Sequence, residues 1–303
     1  MTMEKVRDVR LGKDMDARRI IEELSGCGGF MADNFSRAYY ILEEMFESRE
    51  CLRFLSFPAC IVSTGIRGVL RDLVKKFDVI ITTCGTVDHD IARSVGSYYK
   101  GSFDADDAEL RRENILRLGN EFIPQKNYGE AVEHFVQGAL EEIYAEKKEF
   151  SGREIVWEIG KRMKKDTLLN ECYRRKVPVF IPGIFDGAFG FQLWMFNQRH
   201  RDFRIDLMRD ESDLAELCFG REKSGALILG GGISKHHTIW WNQFKNGLDY
   251  AVYITTAVEW DGSLSGARSK EAVSWGKINE NAQHITLYGE ITTTLPFLIA
   301  PLL

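Results

Sequence analysis

From about residue 59 onward the chain alternates short apolar runs with amphipathic stretches, which limits it to strand–helix–strand crossovers around a mainly parallel sheet. The strand candidates are ACIVS at 59–63, DVIITT at 78–83, VPVFIP at 177–182, GALILG at 225–230, YAVYITT at 250–256 and HITLY at 284–288. The runs end in small or hydroxyl residues with a few carboxylates: Ser63-Thr64-Gly65, Thr83-Cys84-Gly85, Asp186-Gly187, Gly230-Gly231-Gly232, Thr256-Ala257 and Gly289-Glu290. Ligands of open α/β sheets bind beyond the carboxyl ends of the strands, so these endings outline a rim for a polar, nucleotide-type ligand. Tight turns alone explain one such ending; a series of them favours a site.

The strict GxGxxG fingerprint is absent, so phosphate recognition has to come from other groups. After Ser63-Thr64-Gly65 an amphipathic helix, IRGVLRDLVKKF, offers free N–H groups and a positive dipole end. Gly230-Gly231-Gly232 lets a ligand approach the backbone ahead of a helix that starts near Lys235. Asp186, in FDGAFG, either holds ribose hydroxyls or caps a helix beginning at about residue 189.

Ahead of the alternating pattern, DARRIIEEL at 16–24 and DNFSRAYYILEEMFES at 33–48 have helical spacing, the second with Asp33 or Asn34 as cap. No linker or repeat interrupts the sequence. The expected architecture is α/β, a Rossmann-like doubly wound sheet with helices on both faces. A helical N-terminal arm (1–58) precedes one continuous nucleotide-binding catalytic domain (59–303). The chain has 303 residues, 44% of them hydrophobic, enough for a core and too many for disorder. Forty Lys+Arg against 45 Asp+Glu give a net charge of −5, which argues against nucleic acid or an anionic membrane as main partner and accommodates a cationic one. Six scattered cysteines without a CxxC pair indicate neither a zinc knuckle nor a disulfide framework. A charged N-terminus and the lack of an apolar span point to a soluble, unprocessed cytoplasmic protein.

Chemistry-bearing residues are densest in EWDGSLSGARSKEAVSWGK at 259–277, which holds Asp261, Ser263, Ser265, Arg268, Glu271, Trp275 and Lys277. Trp275, Gly276 and Ile278 give Lys277 an apolar setting that favours the neutral amine an imine-forming lysine requires. Lys235-His236-His237 places an imidazole suited to proton transfer beside the glycine triplet, one of the two histidines being the functional one. Asp88-His89-Asp90 is a mixed cluster that suits a cation; a metal is the weaker reading, because no further ligand set completes it. Trp240, Trp241, Phe189, Phe191, Trp194 and Phe196 read mostly as core packing.

The segments LILGGGISKHH at 227–237 and DYAVYITTAVEWDGSLSGARSKEAVSWGKI at 249–278 resemble the deoxyhypusine synthase family, in its archaeal form. The likeness spans nearly the whole chain and includes GGFMADNFSRAY at 28–39, STGIR at 63–67, TTCGTVDHD at 82–90, GSFDADDAELRRENILRLGN at 101–120 and IPGIFDGAFG at 181–190. It implies NAD-dependent transfer of the aminobutyl group of spermidine, through an imine on Lys277, to one lysine of the translation initiation factor five-A precursor. His236 would shuttle protons. NAD would touch Ser63, Thr83, Cys84, Gly85, Asp186, Gly231, Thr256, Ala257 and Glu290. The amine substrate would meet Asp88, His89, Asp261, Gly262, Ser263, Glu271 and Trp275, and the enzyme would be a homotetramer of paired dimers.

This chain departs from the family pattern at the polyamine end. Leu264 and Phe191 stand where carboxylates are usual, Trp240 where an Asn is usual, His89 where a Glu is usual, and Ala59-Cys60 precede STG. A polycation loses Coulomb energy with each missing carboxylate, which leaves agmatine open as donor beside spermidine. A homospermidine-synthase-like transferase and a non-catalytic NAD-binding paralogue are the remaining alternatives.

Overall fold

The strand Lys223–Leu229 is buried from Ser224 onward, the near-continuous apolar run expected of a parallel strand covered on both faces. In the computed structural model, which describes residues 3–303, it lies between Cys51–Ser56 on one side and Leu248–Thr255 on the other, and Ile278–Tyr288 flanks the last of these. All these pairings are parallel. One row of the register runs Leu55, Leu227, Val252, Ile285, each side chain buried. The chain is thus a mostly parallel α/β fold, as the alternating pattern predicts. Residues 1 and 2 of the expected arm lie outside the described residues.

The chain divides into two compact units, Met1–Ser56 with Ala215–Leu303, and Phe57–Leu214. This division differs from the arm-plus-domain boundary drawn at 58/59. The first 58 residues do supply two helices, Ala17–Leu24 and Ala32–Glu47, but also the strand Cys51–Ser56. Helix Ala32–Glu47 buries Ala38, Tyr39, Ile41, Leu42 and Met45 and packs against three strands of its own unit. Met31, not Asp33 or Asn34, is its N-cap, and Asp33 lies inside the first turn, where its charge suits the helix dipole. A Cβ on Gly225 would come within 2.6 Å of Met45 Sδ, so the glycine lets this helix sit close.

Two elements correct the sequence reading. ACIVS at 59–63 is not a strand; Cys60–Ser63 is a helical turn, and the strand lies earlier, at Cys51–Ser56. Short apolar runs cannot be assigned by periodicity alone. Here Ala59 already has helical backbone angles, and its amide is taken by Thr83 Oγ1 at 3.0 Å and not by a sheet ladder. In the second unit Val79–Ile81 and Val179–Phe180 pair in parallel as expected, with Ile81 opposite Phe180. Beside them stand an unexpected three-stranded antiparallel sheet (Tyr99–Lys100, Glu121–Pro124, Ile115–Leu118) and a parallel pair, Glu149–Ser151 with Arg204–Asp206. Asp90 is fully buried there, accepting from Leu169 N at 2.8 Å, Leu168 N at 3.3 Å and Arg67 Nη1 at 3.1 Å, which ties helix Gly85–Val95 to helix Leu168–Arg175. Among the described residues no helix is long and apolar enough to cross a membrane.

Gly247 shapes the chain next to Lys277. Its φ of +84° is left-handed, a Cβ there would lie 2.6 Å from the Ile278 carbonyl carbon, and the next amide, Leu248 N, donates to Lys277 O at 3.1 Å. Gly247→Ala combines backbone strain with overlap and is expected to lower stability by about 2 kcal/mol or more. Gly276→Ala meets strain in open space (φ +66°), with an expected loss of about 1 kcal/mol. Denaturant midpoints of the two variants, compared with the parent, check both the sign and the order.

Candidate active site

In the first unit, helix Ser269–Ser274 ends in a left-handed glycine. Gly276 N donates to Val273 O at 2.9 Å and Lys277 N to Ala272 O at 3.0 Å, the paired bonds of a Schellman turn. This turn sets Lys277 immediately before strand Ile278–Tyr288, half-buried at the edge of a cavity of about 160 Å³. Glu271, Trp275, Tyr253, Leu264 and Lys235 share the lining. Lys277 Nζ lies 5.2 Å from the Trp275 ring centre and 6.0 Å from that of Trp240, within cation–π range.

His236 occupies the second turn of helix Gly232–Gln243 and stacks on Trp240 one turn later, ring centres 5.7 Å apart. Burial, with the positive charge of Lys277 as second cause, lowers its pKa, so the imidazole is neutral near pH 7 and able to accept a proton. Lys277, His236, Glu271 and Trp275 are therefore brought together. Asp261, Gly262 and Ser263 are not part of the cavity lining. They form an exposed turn, with Ser263 N donating to Asp261 Oδ1 at 2.7 Å, that leads into the loop bearing Leu264 and Ala267. The hydrogen bonds of Ser263 hold the Asp261 carboxyl below its ordinary value.

The rim residues of the first unit follow the strand ends. Gly231 is the N-cap of helix Gly232–Gln243, and a Cβ there would overlap Ser265. Thr256 and Ala257 follow strand Leu248–Thr255, where Ala257 N donates to Thr255 Oγ1. Glu290 caps helix Ile291–Ile299, accepting from Thr292 N at 2.9 Å and Thr293 N at 3.0 Å; these bonds hold its pKa down against desolvation.

In the second unit Ser63 is buried and donates to Cys60 O, Thr83 Oγ1 accepts from Ala59 N at 3.0 Å, and Cys84 and Gly85 open helix Gly85–Val95. Burial pushes the Cys84 thiol up to about 12, which makes it a packing group and not a nucleophile. Asp186 is exposed and does not cap helix Ala188–Arg199. Asp88 does that instead, accepting from Ala188 N at 3.0 Å, Phe189 N at 2.7 Å and Tyr128 Oη at 3.1 Å. Desolvation raises the Asp88 pKa while these donors oppose it. His89 is buried with Nδ1 2.9 Å from Tyr98 Oη, and burial brings its pKa down to about 4. Asp88 and His89 thus sit inside a hydrogen-bonded network. Among the described residues no group of three or more His, Cys, Asp or Glu could hold a metal ion.

Trp240, read from the sequence both as core packing and as a departure at the polyamine end, is exposed and faces Lys277. One group was not singled out from the sequence. Lys235, named only as the neighbour of His236, is buried in the cavity wall. The run Ser-Lys-His-His after three glycines was the available signal.

The family model for deoxyhypusine synthase matches residues 19–302. The chain belongs to the deoxyhypusine synthase family. Its curated relatives include the "Probable deoxyhypusine synthase" of Picrophilus torridus, 50% identical over 99% of this chain and 97% of the relative. That of Sulfolobus acidocaldarius is 53% identical over 91% of this chain and 89% of the relative. Among solved structures, a candidate deoxyhypusine synthase from Entamoeba histolytica superposes with a TM-score of 0.66 over 98% of this chain and 95% of that one, at 20% identity, and shares the fold.

His89 gives this member of the family an acid-sensitive point. The unfolded imidazole titrates near 6.5 and the folded one near 4, so between those values the unfolded state binds more protons and stability falls as pH drops. Protonation of this one ring is expected to remove up to about 3 kcal/mol between pH 6.5 and 4. His89→Gln should flatten that limb of the stability profile; an unchanged slope would contradict the assignment.

Proposed function

We propose that the protein is a deoxyhypusine synthase that transfers the four-carbon amine fragment of a polyamine to a lysine of the translation initiation factor five-A precursor, through an imine on Lys277 and with NAD as hydride carrier. The observation that carries this reading is Lys277 held by the Schellman turn between two tryptophan rings, with Glu271 on the same cavity and a neutral His236 close by.

The strand-end residues fit a dinucleotide. The N-terminus of helix Gly232–Gln243 has no side-chain cap and no room for a Cβ at Gly231, which suits backbone N–H groups to a phosphate. The exposed Asp186 carboxylate, not used as a cap, suits ribose hydroxyls. On the resemblance, the proposed NAD contacts are Gly231, Thr256, Ala257, Glu290, Ser63, Thr83, Cys84, Gly85 and Asp186. Bound NAD would supply reversible hydride acceptance from the donor carbon beside the secondary amine.

This chain's residues would do the rest. The Lys277 amine attacks the oxidised donor carbon, and diaminopropane leaves with its nitrogen protonated. His236 takes the proton that the attacking amine loses and returns it to the leaving one. The acceptor lysine would then displace Lys277, with bound NAD supplying the reducing equivalent for the last step, and splitting the transfer keeps each barrier low. Glu271 and Trp275 hold the cationic donor by charge and ring contact. Asp261, Gly262 and Ser263 would shape its entry, and Asp88 and His89 belong to the proposed amine end. On the same resemblance the protein would act as a cytoplasmic homotetramer.

A guanidinium donor is the second reading. Leu264 lines the cavity where the family pattern has a carboxylate, and Trp240 stands over Lys277. A planar guanidinium stacks on such rings better than an ammonium does. Incubation with NAD and spermidine or agmatine, then borohydride, is expected to leave an aminobutyl or guanidinobutyl mass on Lys277. An unmodified Lys277 despite bound NAD would point to a non-catalytic paralogue, and product formed on putrescine but not on the factor would point to the homospermidine type. Lys277→Ala should abolish turnover, and His236→Ala should lower it by about 10²–10⁴-fold.

A further inference from the structure

We propose that Lys235 is a positioning residue for this cavity: its ammonium ties down the loop 262–268 and, through that loop, fixes the helix that presents Glu271 and Lys277. The proposal rests on the amine-transfer reading of the cavity. Lys235 is 1% exposed, an expensive place for a charge unless its protons find partners. They find three: Nζ donates to Leu264 O and to Ala267 O, each at 2.7 Å, and lies 4.3 Å from the Tyr253 ring centre. Two carbonyl acceptors and one ring face match the three N–H bonds of an ammonium.

The loop needs such a tie. Its backbone amides bond only locally, Ser263 N to Asp261 Oδ1, Gly266 N to Ser263 O and Oγ, and Ala267 N to Ser263 O, and its one long-range side-chain bond among the described residues, Arg268 Nε to Tyr288 Oη at 3.1 Å, holds the far end and not the Leu264–Ala267 turn. Lys235 reaches it from a helix 29 and 32 residues away in sequence and holds both ends of the Leu264–Ala267 turn. Ala267 is followed by Arg268, the N-cap of helix Ser269–Ser274, which carries Glu271 and ends in the turn that presents Lys277. A methionine would fill the same space without burying a charge, so packing alone does not call for a lysine here. Burial lowers the Lys235 pKa to about 8, with Glu271 opposing, so near neutral pH it is mainly the ammonium, which has no lone pair to attack with. Lys235 is thus a clamp and Lys277 the nucleophile.

Hydrogen exchange and adduct trapping on the full-length protein test this. In the parent, amides of 262–268 should be protected; exchange there at free-peptide rates would overturn the proposal without any variant. Lys235→Met should speed exchange of that segment at least about 10-fold while strand Lys223–Leu229 is unchanged, and should slow borohydride-trapped adduct formation on Lys277 by about 10²-fold with NAD affinity unaltered. Lys235→Arg, which keeps charge and donors, should lie closer to the parent in both. An adduct rate in Lys235→Met within about 3-fold of the parent, an unaltered loop, or equal losses in the two variants would each overturn the clamp. Absence of any adduct in the parent itself would refute the amine-transfer reading, and the exchange comparison would then decide the clamp on its own.

Discussion

Parallel pairing of the buried strand Lys223–Leu229 with its two neighbours is the constraint from which the first unit follows. Parallel strands need crossovers, and their helices begin just past the carboxyl ends of the strands. Gly230 and Gly231 end this strand and start helix Gly232–Gln243, which fixes where Lys235, His236 and Trp240 can point. The neighbouring strand Leu248–Thr255 leads, through the exposed turn at Asp261–Ser263, to the short helix that delivers Lys277. The cavity is therefore a by-product of two strand ends lying side by side, furnished with charge by the crossovers.

How buried charge is handled gives the site its character. Asp88, Asp90 and Lys235 are each nearly inaccessible, and each is matched by backbone groups more than by an opposite charge. Asp88 and Asp90 supply acceptors to the free amides at the starts of helices Ala188–Arg199 and Leu168–Arg175, where the dipole also favours an anion. Lys235 does the converse for two loop carbonyls. A side chain used this way fixes the direction of a segment, because two hydrogen bonds to consecutive or near-consecutive peptide groups leave little rotational freedom.

The parts legible in the sequence were those with short-range signals. The apolar runs at 225–230, 250–256 and 284–288 fall within or within one residue of the strands Lys223–Leu229, Leu248–Thr255 and Ile278–Tyr288, the last of which begins six residues before its run, and the single segment 259–277 already held Glu271, Trp275 and Lys277. Cys51–Ser56 escaped notice because Arg53 interrupts its apolar run; its guanidinium leaves the strand to reach Ser48 O at 3.1 Å. The antiparallel sheet of 99–124 escaped because its strands are two to four residues long and exposed or mostly half-buried, too brief for a period-2 pattern. The partner of Asp88 lies 100 residues away, a distance over which side-chain type carries no register, so a carboxylate read as ligand-binding is also a helix cap. Asp186, two residues before its helix, looked the better cap and is not one.

Charge accounting on the cavity narrows how a donor could be recognised. Its lining carries Lys235, Arg268 and Lys277 against Glu271. Arg268 is engaged by Glu259 and Tyr288, and Lys235 by loop carbonyls, so Glu271 is the lining carboxylate left to face a cationic donor. The net charge of −5 does not reside here; acidic side chains such as Asp104, Asp106 and Glu109 are exposed in the segment 103–114, far along the chain from the cavity loop. Long-range attraction can bring a cation near such a surface, but it is screened within about 10 Å at ordinary salt and cannot select among amines. Selection on the proposed reading then falls to Trp240 and Trp275, whose ring faces attract a cation at short range and weigh a planar group differently from a tetrahedral one. On that reading Leu264 in the cavity wall and the ring of Trp240 over Lys277 would act in one direction, exchanging recognition by charge for recognition by shape.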